Sequence, residues 1–508
     1  MESKKYDFVI IGSGMGGLAT SVILAKQGYS VLVLEKNHQI GGALQVFSRD
    51  KCIFDTGVHY LGGLDKGENL YRFFKYLEIY DDLKLQSLDR DCFDMIRFAD
   101  GSSYKYGQGY KSFAQELVRS FPEEADAINM FCDKIKEICD YFPMYNLNET
   151  NETSYYKNPE ILTIGAWDYV CSLTQNDRLR NVLLGSGPLY AGEKNYTPLY
   201  VVALIVNSYI QGSYRLVDGG SQLAKQLTKR LREKNGVILK HKEVIGANYD
   251  DSGMITSVKC ADGTSFEGKH FISNLHPALT IEIFGKEQFL PAYRKRIQNL
   301  ENTVASFMVY ISLQKNSFPY INHNIYDYYT ENVWETTDYS QEGWPQMMYI
   351  CTPASSKSAT HAESICIMCY MSATEVSEWE NTFNTVSNPE ERGEAYRKFK
   401  EVKQELVVRR LESKYPTIRK HIRNVYSSSP LTYKDYIGTP GGSLYGIKKN
   451  FNNPASTIIN TKTRIQNLYL TGQNIIFHGI LGATIGAFVT CLNFIDYKKL
   501  MDEIKSCE

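Results

Sequence analysis

The chain has 508 residues, of which 43% are hydrophobic and 22% charged, a composition that excludes disordered and fibrous proteins. Its 56 Lys and Arg residues balance 57 Asp and Glu residues to a net charge of -1, so no nucleic-acid partner is expected. The eleven cysteines, odd in number and scattered, fit neither a disulfide framework nor a zinc site, and we predict no bound metal. The close pair Cys366 and Cys369 lies in an apolar run typical of a buried strand. No apolar stretch reaches the roughly 18 residues of a membrane-spanning helix, so at most peripheral membrane contact is expected.

The N-terminal segment carries the sharpest pattern in the sequence. Residues 8–11 form an apolar run typical of a strand buried on both faces, and a glycine-rich turn follows at once. Residues 18–27 predict a helix that is closed by Gly28, at a position where a left-handed cap favours glycine. Residues 31–34 predict the next strand, which ends in Glu35. Strand, glycine turn, helix and strand together predict a βαβ unit.

The residues of this unit are those that a dinucleotide phosphate requires. Gly12 permits the tight turn, Gly14 lets the backbone approach a pyrophosphate, and Gly17 brings the helix close to the sheet. Glu35 follows after the expected interval of about 20 residues and can accept hydrogen bonds from ribose hydroxyls. The candidate binding residues here are Gly12, Gly14, Met15, Gly16, Gly17 and Glu35.

The middle of the chain differs in character from its N-terminus. Residues 61–214 are rich in Tyr, Phe and Leu with helical periodicity in places, and we interpret them as an inserted domain. A helix is then expected up to Arg232, followed by short strands at 237–240, 247–249, 256–260 and 271–272. Residues 303–313 alternate between apolar and polar side chains, which predicts a half-buried strand. Residues 389–414 predict a long helix whose charges form a solvated face.

The C-terminal region contains a second glycine-rich segment. A strand over residues 467–470 stops before Gly472 and Gln473, and residues 479–487, which include Gly482 and Ala483, open a helix with small side chains. Small residues at a helix N-terminus allow close packing against a planar ring, and the helix dipole there suits an anionic reduced flavin. Tight packing of the helix on the sheet, with no cofactor, explains the same residues equally well.

Taken together, these segments resemble the FAD-dependent phytoene desaturase and retinol saturase family, within the amine-oxidase-like flavoprotein group. The similarity covers the N-terminal fingerprint with its continuation Glu35, Lys36, Gly41 and Gly42, and then residues 54–62, 429–446 and 470–474. Residues 54–62 are similar to the retinol saturase branch in particular. Many amine oxidases have an Arg after the glycine pair, whereas this chain has Ala43.

The resemblance implies an α/β fold with a Rossmann-like, GR2-type FAD-binding domain, assembled from discontinuous segments, and an inserted α+β substrate domain. We expect the FAD-binding domain to comprise residues 1–60, 215–300 and 431–508. The substrate-binding domain is expected to comprise residues 61–214 and 301–430. To the residues named above, the expected FAD contacts add Lys36, Gly41, Gly42, Val244, Gly472, Gln473, Gly482 and Ala483.

The resemblance also implies an enzyme that acts on carbon–carbon double bonds of an apolar conjugated substrate, such as a retinoid, a carotenoid or another isoprenoid lipid. Saturation is expected rather than desaturation, and a flavin amine or amino-acid oxidase is the alternative. His59 is the candidate proton donor and Tyr445 the weaker second candidate, although a structural hydrogen bond to the backbone is the simpler explanation of His59.

Two expectations concern the partners and the location of the protein. The sequence contains one dinucleotide fingerprint, so electrons are expected to reach or leave FAD through a quinone, another carrier or the substrate. Because residue 1 is not followed by an apolar signal segment, the protein is expected in the cytoplasm, either free or in peripheral contact with the inner face of a membrane.

Overall fold

A computed structural model describes residues 5–148 and 158–507 of the chain. Within them the strands are β1 (Tyr6–Ile11), β2 (Val31–Leu34), β3 (Val46–Arg49), β4 (Cys52–Asp55), β5 (Leu85–Ser87), β6 (Asp94–Arg97), β7 (Ser103–Tyr106), β8 (Tyr214–Leu216), β9 (Val237–Leu239), β10 (Val244–Tyr249), β11 (Ile255–Cys260), β12 (Ser265–Ser273), β13 (Ala305–Leu313), β14 (Asn324–Tyr328), β15 (Met347–Cys351), β16 (Ser364–Met371), β17 (Ile422–Ser428) and β18 (Leu468–Leu470).

The α-helices of the same residues are α1 (Met15–Lys26), α2 (Asn69–Tyr76), α3 (Tyr110–Ser120), α4 (Ala125–Asp140), α5 (Pro143–Asn146), α6 (Ala166–Leu173), α7 (Asp177–Leu183), α8 (Leu199–Ile210), α9 (Ser221–Glu233), α10 (Pro277–Phe284), α11 (Pro291–Gln298), α12 (Gly393–Lys414), α13 (Ile418–His421), α14 (Pro430–Ile437), α15 (Pro454–Thr457), α16 (Gly479–Cys491) and α17 (Tyr497–Lys505).

The predicted βαβ unit forms the centre of the first sheet. Strands β9, β2, β1, β12 and β18 lie side by side and parallel, and β11 and β10 extend β12 in the antiparallel sense. The apolar runs of β1 and β2 are buried because helices cover a parallel sheet on both faces. Helix α1 begins at Met15, three residues before the predicted start, because Gly16 and Gly17 belong to its first turn.

A second sheet has the strand order β17, β13, β16, β15, β14, β6 and β7. The prediction for β13 was wrong in one respect, because every residue of this strand is buried. Its alternate side chains belong to two different cores: Phe307, Val309 and Ile311 pack in a core with Val407 and Leu411 of α12, and Met308 and Tyr310 in the main one. The side of β13 that the alternation assigned to solvent, which carries Met308 and Tyr310, is therefore buried by the main core, whereas α12 covers the side predicted to be buried.

The charged helix agrees with its prediction apart from its start. It begins at Gly393 and not at residue 389, and its Val402 is 52% exposed. Its Lys403 is nevertheless buried and paired with Glu375.

The expected domain limits stay a prediction. Strands of the first sheet come from residues 6–34, 237–273 and 468–470, and strands of the second from 94–106, 305–371 and 422–428. The expected limits at 214/215 and 430/431 fall inside β8 and α14. Among the described residues, no helix is long and apolar enough to cross a membrane.

Candidate functional site

A cavity of about 840 Å³ opens at the carboxyl end of β1, and we call it the main cavity. Its volume lies in the range of roughly 300–1,000 Å³ that is usual for ligand pockets. Its wall comes from the β1–α1 turn, residues 41–44, residues 57–59, the start of β10, residues 433–445 and the start of α16. Loops at the carboxyl ends of parallel strands are where open α/β sheets bind their ligands.

The β1–α1 turn presents backbone to the main cavity. Gly12, Gly14, Met15 and Gly16 line it, and Gly12 has a positive φ of 93°, which favours glycine. A Cβ atom on Gly14 would stand 2.9 Å from the Asn274 side-chain nitrogen. Because these glycines carry no side chains of their own and α1 begins directly after the turn, the turn can approach an anion closely.

Gly17 lies behind the cavity wall and does not line it. A Cβ atom there would stand 2.1 Å from the Gly12 carbonyl oxygen, so glycine is needed for packing of the helix onto the turn. Gly16 is similarly restricted, since its Cβ would lie 2.6 Å from the Cα atom of Gly472. These are the backbone roles that the fingerprint assigns to glycine at these positions.

Glu35 is buried at the end of β2 and lines the main cavity. Its Oε2 accepts hydrogen bonds from the backbone N–H (3.1 Å) and the hydroxyl of Ser13, and its Oε1 accepts from the Asn37 N–H (2.8 Å). A carboxylate has about four lone-pair sites, so acceptor capacity remains for a ribose. The bonds to Ser13 hold the carboxylate against the glycine turn.

The glycine pair after β2 closes one side of the cavity. Gly41 and Gly42 line it with positive φ angles of 123° and 56°, and a Cβ on Gly42 would lie 3.2 Å from the Gly14 Cα. Lys36 also lines the cavity, and its Nζ donates to the Asp435 carbonyl oxygen at 3.0 Å. Val244 lines the wall at the start of β10.

In the C-terminal segment, Gln473 and Ala483 line the main cavity, whereas Gly472 and Gly482 do not. A Cβ on Gly482 would lie 2.2 Å from the Phe477 carbonyl oxygen. Gly472 lies against Gly16 and has a positive φ of 96°. The two glycines therefore serve backbone packing, while their neighbours form the wall.

His59 lies in the loop after β4 and lines the main cavity, with its Nδ1 buried and unbonded within the described part of the chain. Desolvation disfavours the imidazolium, but Cys351 and the carboxylate of Asp55 outweigh it, so the pKa of His59 is raised. Burial raises the pKa of Asp55 to about 6, although His59 and the Gly220 N–H (2.6 Å) favour its anion. The surroundings of His59 thus favour the protonated imidazolium form.

Tyr445 also lines the cavity, but its hydroxyl is already engaged. It donates to the Pro188 carbonyl oxygen at 3.0 Å, and its ring stacks on His478 with 4.2 Å between ring centroids. Burial raises the pKa of Tyr445. The structure therefore brings both candidate proton donors to one cavity. Of the two, His59 has a side-chain atom without a hydrogen-bond partner among the described residues, whereas the Tyr445 hydroxyl has one.

Sequence reasoning did not name Asn274 as a site residue, and it placed residues 433–440 in the FAD-binding domain without naming any of them as a contact. Asn274 directly follows β12, and its side chain lies where Cβ atoms on Gly14, Gly16 and Gly472 would be. Its position after a central parallel strand could have identified it. Residues 433–440 follow no strand of the first sheet, and no local pattern indicates that they cover the cavity.

The residues present fit a dinucleotide such as FAD. The uncovered backbone of the glycine turn suits the pyrophosphate, Glu35 suits a ribose, and the main cavity extends to His59 and Ala483. No group of three or more His, Cys, Asp or Glu side chains in residues 5–148 and 158–507 could hold a metal ion.

Comparison with known proteins agrees with this geometry. Residues 10–77 match the family of NAD(P)-binding Rossmann-like domains. All-trans-retinol 13,14-reductase of Danio rerio is 26% identical over 96% of this chain and 85% of its own. Prolycopene isomerase 2, chloroplastic, of an Oncidium hybrid cultivar is 23% identical over 93% of this chain and 81% of its own.

Solved structures show the same fold. Cyclohexylamine oxidase from Brevibacterium oxydans superposes with a TM-score of 0.60 at 14% identity, covering 99% of both chains. An oxidoreductase from Methanosarcina mazei gives a TM-score of 0.61 at 14% identity, covering 95% of this chain and 98% of its own. At such identities the likeness concerns the fold alone. The cofactor of this chain is FAD, as the resemblance to the FAD-dependent family implies.

Proposed function

Because the chain belongs to the phytoene desaturase and retinol saturase family of FAD-dependent oxidoreductases, we propose that it saturates carbon–carbon double bonds of a conjugated, apolar molecule. The observation that carries this proposal is the similarity to all-trans-retinol 13,14-reductases along nearly the whole chain, 25% identity over 99% of it for the human protein. Bound FAD supplies hydride transfer. The protein must therefore bind the substrate, orient it against the cofactor and exclude water.

The wall of the main cavity suits an apolar substrate beside the cofactor. Met368, Leu279, Ile283 and Tyr433 line it together with His59. An isolated alkene accepts hydride poorly, because nothing spreads the charge that develops in the transition state. Retinoids, carotenoids and enone lipids can spread this charge through conjugated double bonds or a carbonyl group.

We propose that His59 holds the proton that is added to the double bond in addition to the hydride. With its pKa raised, the imidazole remains protonated on both ring nitrogens at a higher pH than an ordinary histidine would. It can therefore donate a proton to the carbon that does not receive hydride. Asp55, bonded to the Gly220 N–H, is held beside it and stabilises the imidazolium.

The reaction itself is tested by supplying reduced enzyme with substrates. FAD-loaded enzyme, photoreduced without oxygen, should add two hydrogens to at least one of a panel of retinoids, carotenoids and enone lipids, as seen by mass spectrometry. The same panel with oxidised enzyme is the control. A loss of two hydrogens there would support desaturation instead, and oxidation of amines alone would support the amine-oxidase alternative that shares this fold.

Electron supply is the second expectation that can be measured. We propose a quinone, another carrier or the substrate as the redox partner, since one dinucleotide fingerprint is present in the sequence. NADPH or NADH should bleach the flavin slowly in anaerobic stopped-flow traces, while photoreduction of the same sample bleaches it fully. Bleaching by NADPH at the rate of turnover would contradict this proposal.

Peripheral membrane contact stays a proposal, as does a location on the cytoplasmic face. Two exposed apolar side chains belong to the wall of the main cavity, Ile245 (58% exposed) and Phe383 (36% exposed). Lys36, Lys242 and Lys434 belong to the same wall. Apolar and basic side chains together suit an anionic lipid surface from which an apolar substrate could enter.

A further inference from the structure

Two cysteines face each other across the second sheet. The antiparallel register of β15 and β16 places Cys351 directly opposite Cys366, and the two residues are 3% and 0% exposed. Directly opposed residues of an antiparallel pair have Cα atoms about 4.5–5.5 Å apart. Disulfides span Cα distances of roughly 4.4–6.8 Å, so the Cα spacing of such a pair lies within the range that a disulfide bridges.

The pair lies on the face of the sheet that borders the main cavity. Met368, two residues after Cys366 and hence on the same face of β16, lines that cavity. Tyr349, two residues before Cys351, has its ring centroid 5.6 Å from that of His59. Cys369 lies on the opposite face, in the core beneath α12.

The two thiols have unequal environments. Cys366 interacts with Cys351 and, together with His59 and Arg215, lowers the pKa of Cys351 well below its usual range despite burial. The pKa of Cys366 is raised by the same contact and by burial. A thiolate beside a protonated thiol has the ionisation that an oxidant-sensitive cysteine and its resolving partner require.

We propose that Cys351 and Cys366 are a redox modification site, which hydrogen peroxide entering the main cavity converts to a cross-strand disulfide. The Cys351 thiolate attacks peroxide, giving a sulfenic acid and hydroxide. The Cys366 thiol then displaces the sulfenic hydroxyl, so that the S–S bond forms and water leaves with the thiol proton. Two thiol sulfurs are oxidised and one peroxide is reduced, and an added dithiol reverses the change.

The modification acts on the candidate proton donor. A disulfide at Cys351 removes the sulfur anion that helps to raise the pKa of His59. We therefore expect oxidation to slow proton donation, and a dithiol to restore it. This consequence rests on the proposed function, whereas formation of the disulfide does not.

Thiol mapping tests the site without any substrate. FAD-loaded protein is treated with hydrogen peroxide, its free thiols are alkylated, and its peptides are examined by mass spectrometry. A Cys351–Cys366 linked peptide should form, with the loss of two of the eleven free thiols, and dithiothreitol should restore both. Cys366→Ser should accumulate a sulfenic acid at Cys351 that dimedone traps.

Cys369→Ser is the matched control, because Cys369 is buried on the same strand but faces away from the pair. This variant should form the same linked peptide as the unchanged protein. His59→Gln should slow disulfide formation, most strongly at low pH, since it removes a group that lowers the pKa of Cys351 and so leaves a smaller thiolate fraction.

Oxidation of other cysteines while Cys351 and Cys366 stay unlinked would overturn the proposal. So would equal dimedone labelling of Cys351 and Cys369 in Cys366→Ser. A linked peptide in a protein that reduces no compound of the substrate panel would leave the site standing and refute the proposed function, so the two failures are distinguishable.

Discussion

Gly14→Leu should yield a folded protein that is purified without its yellow colour. The leucine side chain would cover the turn that the main cavity exposes and displace the Asn274 amide, which lies 2.9 Å from the new Cβ. Charge-assisted hydrogen bonds contribute about 1.5–3 kcal/mol each, so losing two backbone contacts to the pyrophosphate should raise the FAD dissociation constant by about a hundredfold or more. The flavin absorbance of the purified protein and an FAD titration measure the effect.

Gly246→Leu is the matched control for this substitution. Gly246 lies in β10, has no positive φ, and a Cβ atom there would meet no heavy atom within 4 Å. This variant should keep its FAD, and circular dichroism should show that both variants are folded. Full FAD occupancy in folded Gly14→Leu would refute the placement of the pyrophosphate at the turn.

His59→Phe should slow product formation by about a hundredfold or more while FAD remains bound, because general acid catalysis contributes about 10²–10⁴-fold. The experiment follows reoxidation of photoreduced enzyme by whichever panel compound gains two hydrogens. Tyr445→Phe is the comparison, since it keeps the ring stacked on His478 and removes only the hydroxyl. The opposite ranking of the two variants would transfer the role to Tyr445.

The pH dependence separates a proton donor from a merely structural histidine. The protonated imidazole is the active form and its pKa is raised, so the rate should be highest at lower pH and fall as the pH rises through that pKa. Cys351→Ser removes a group that raises the pKa, and the fall should then move to lower pH. A profile that does not move in Cys351→Ser would mean that His59 does not set it.

Local patterns were sufficient for the dinucleotide unit. Residues 6–35 follow one another along the chain, and each glycine is required by a neighbour or by the turn itself, as the contact between Gly17 and the Gly12 carbonyl shows. The strands after α9 were also expected, although β10 and β12 are longer than predicted. Antiparallel pairing with β11 extends them over residues that carry no long apolar run.

Two features of the molecule depended on the tertiary structure: the burial of β13 on both faces, and the contacts between residues that are distant in the sequence. The alternation in β13 indicates one buried face, which α12 covers, and only the main core on the other face makes the strand fully buried. The neighbours of His59 come from β4 and β15, far apart in the sequence, and the cavity wall at residues 433–440 has no local signature. Hydrophobic periodicity indicates which face of a helix or strand is apolar. The pairing of elements that are distant in the sequence decides which side chains contact one another.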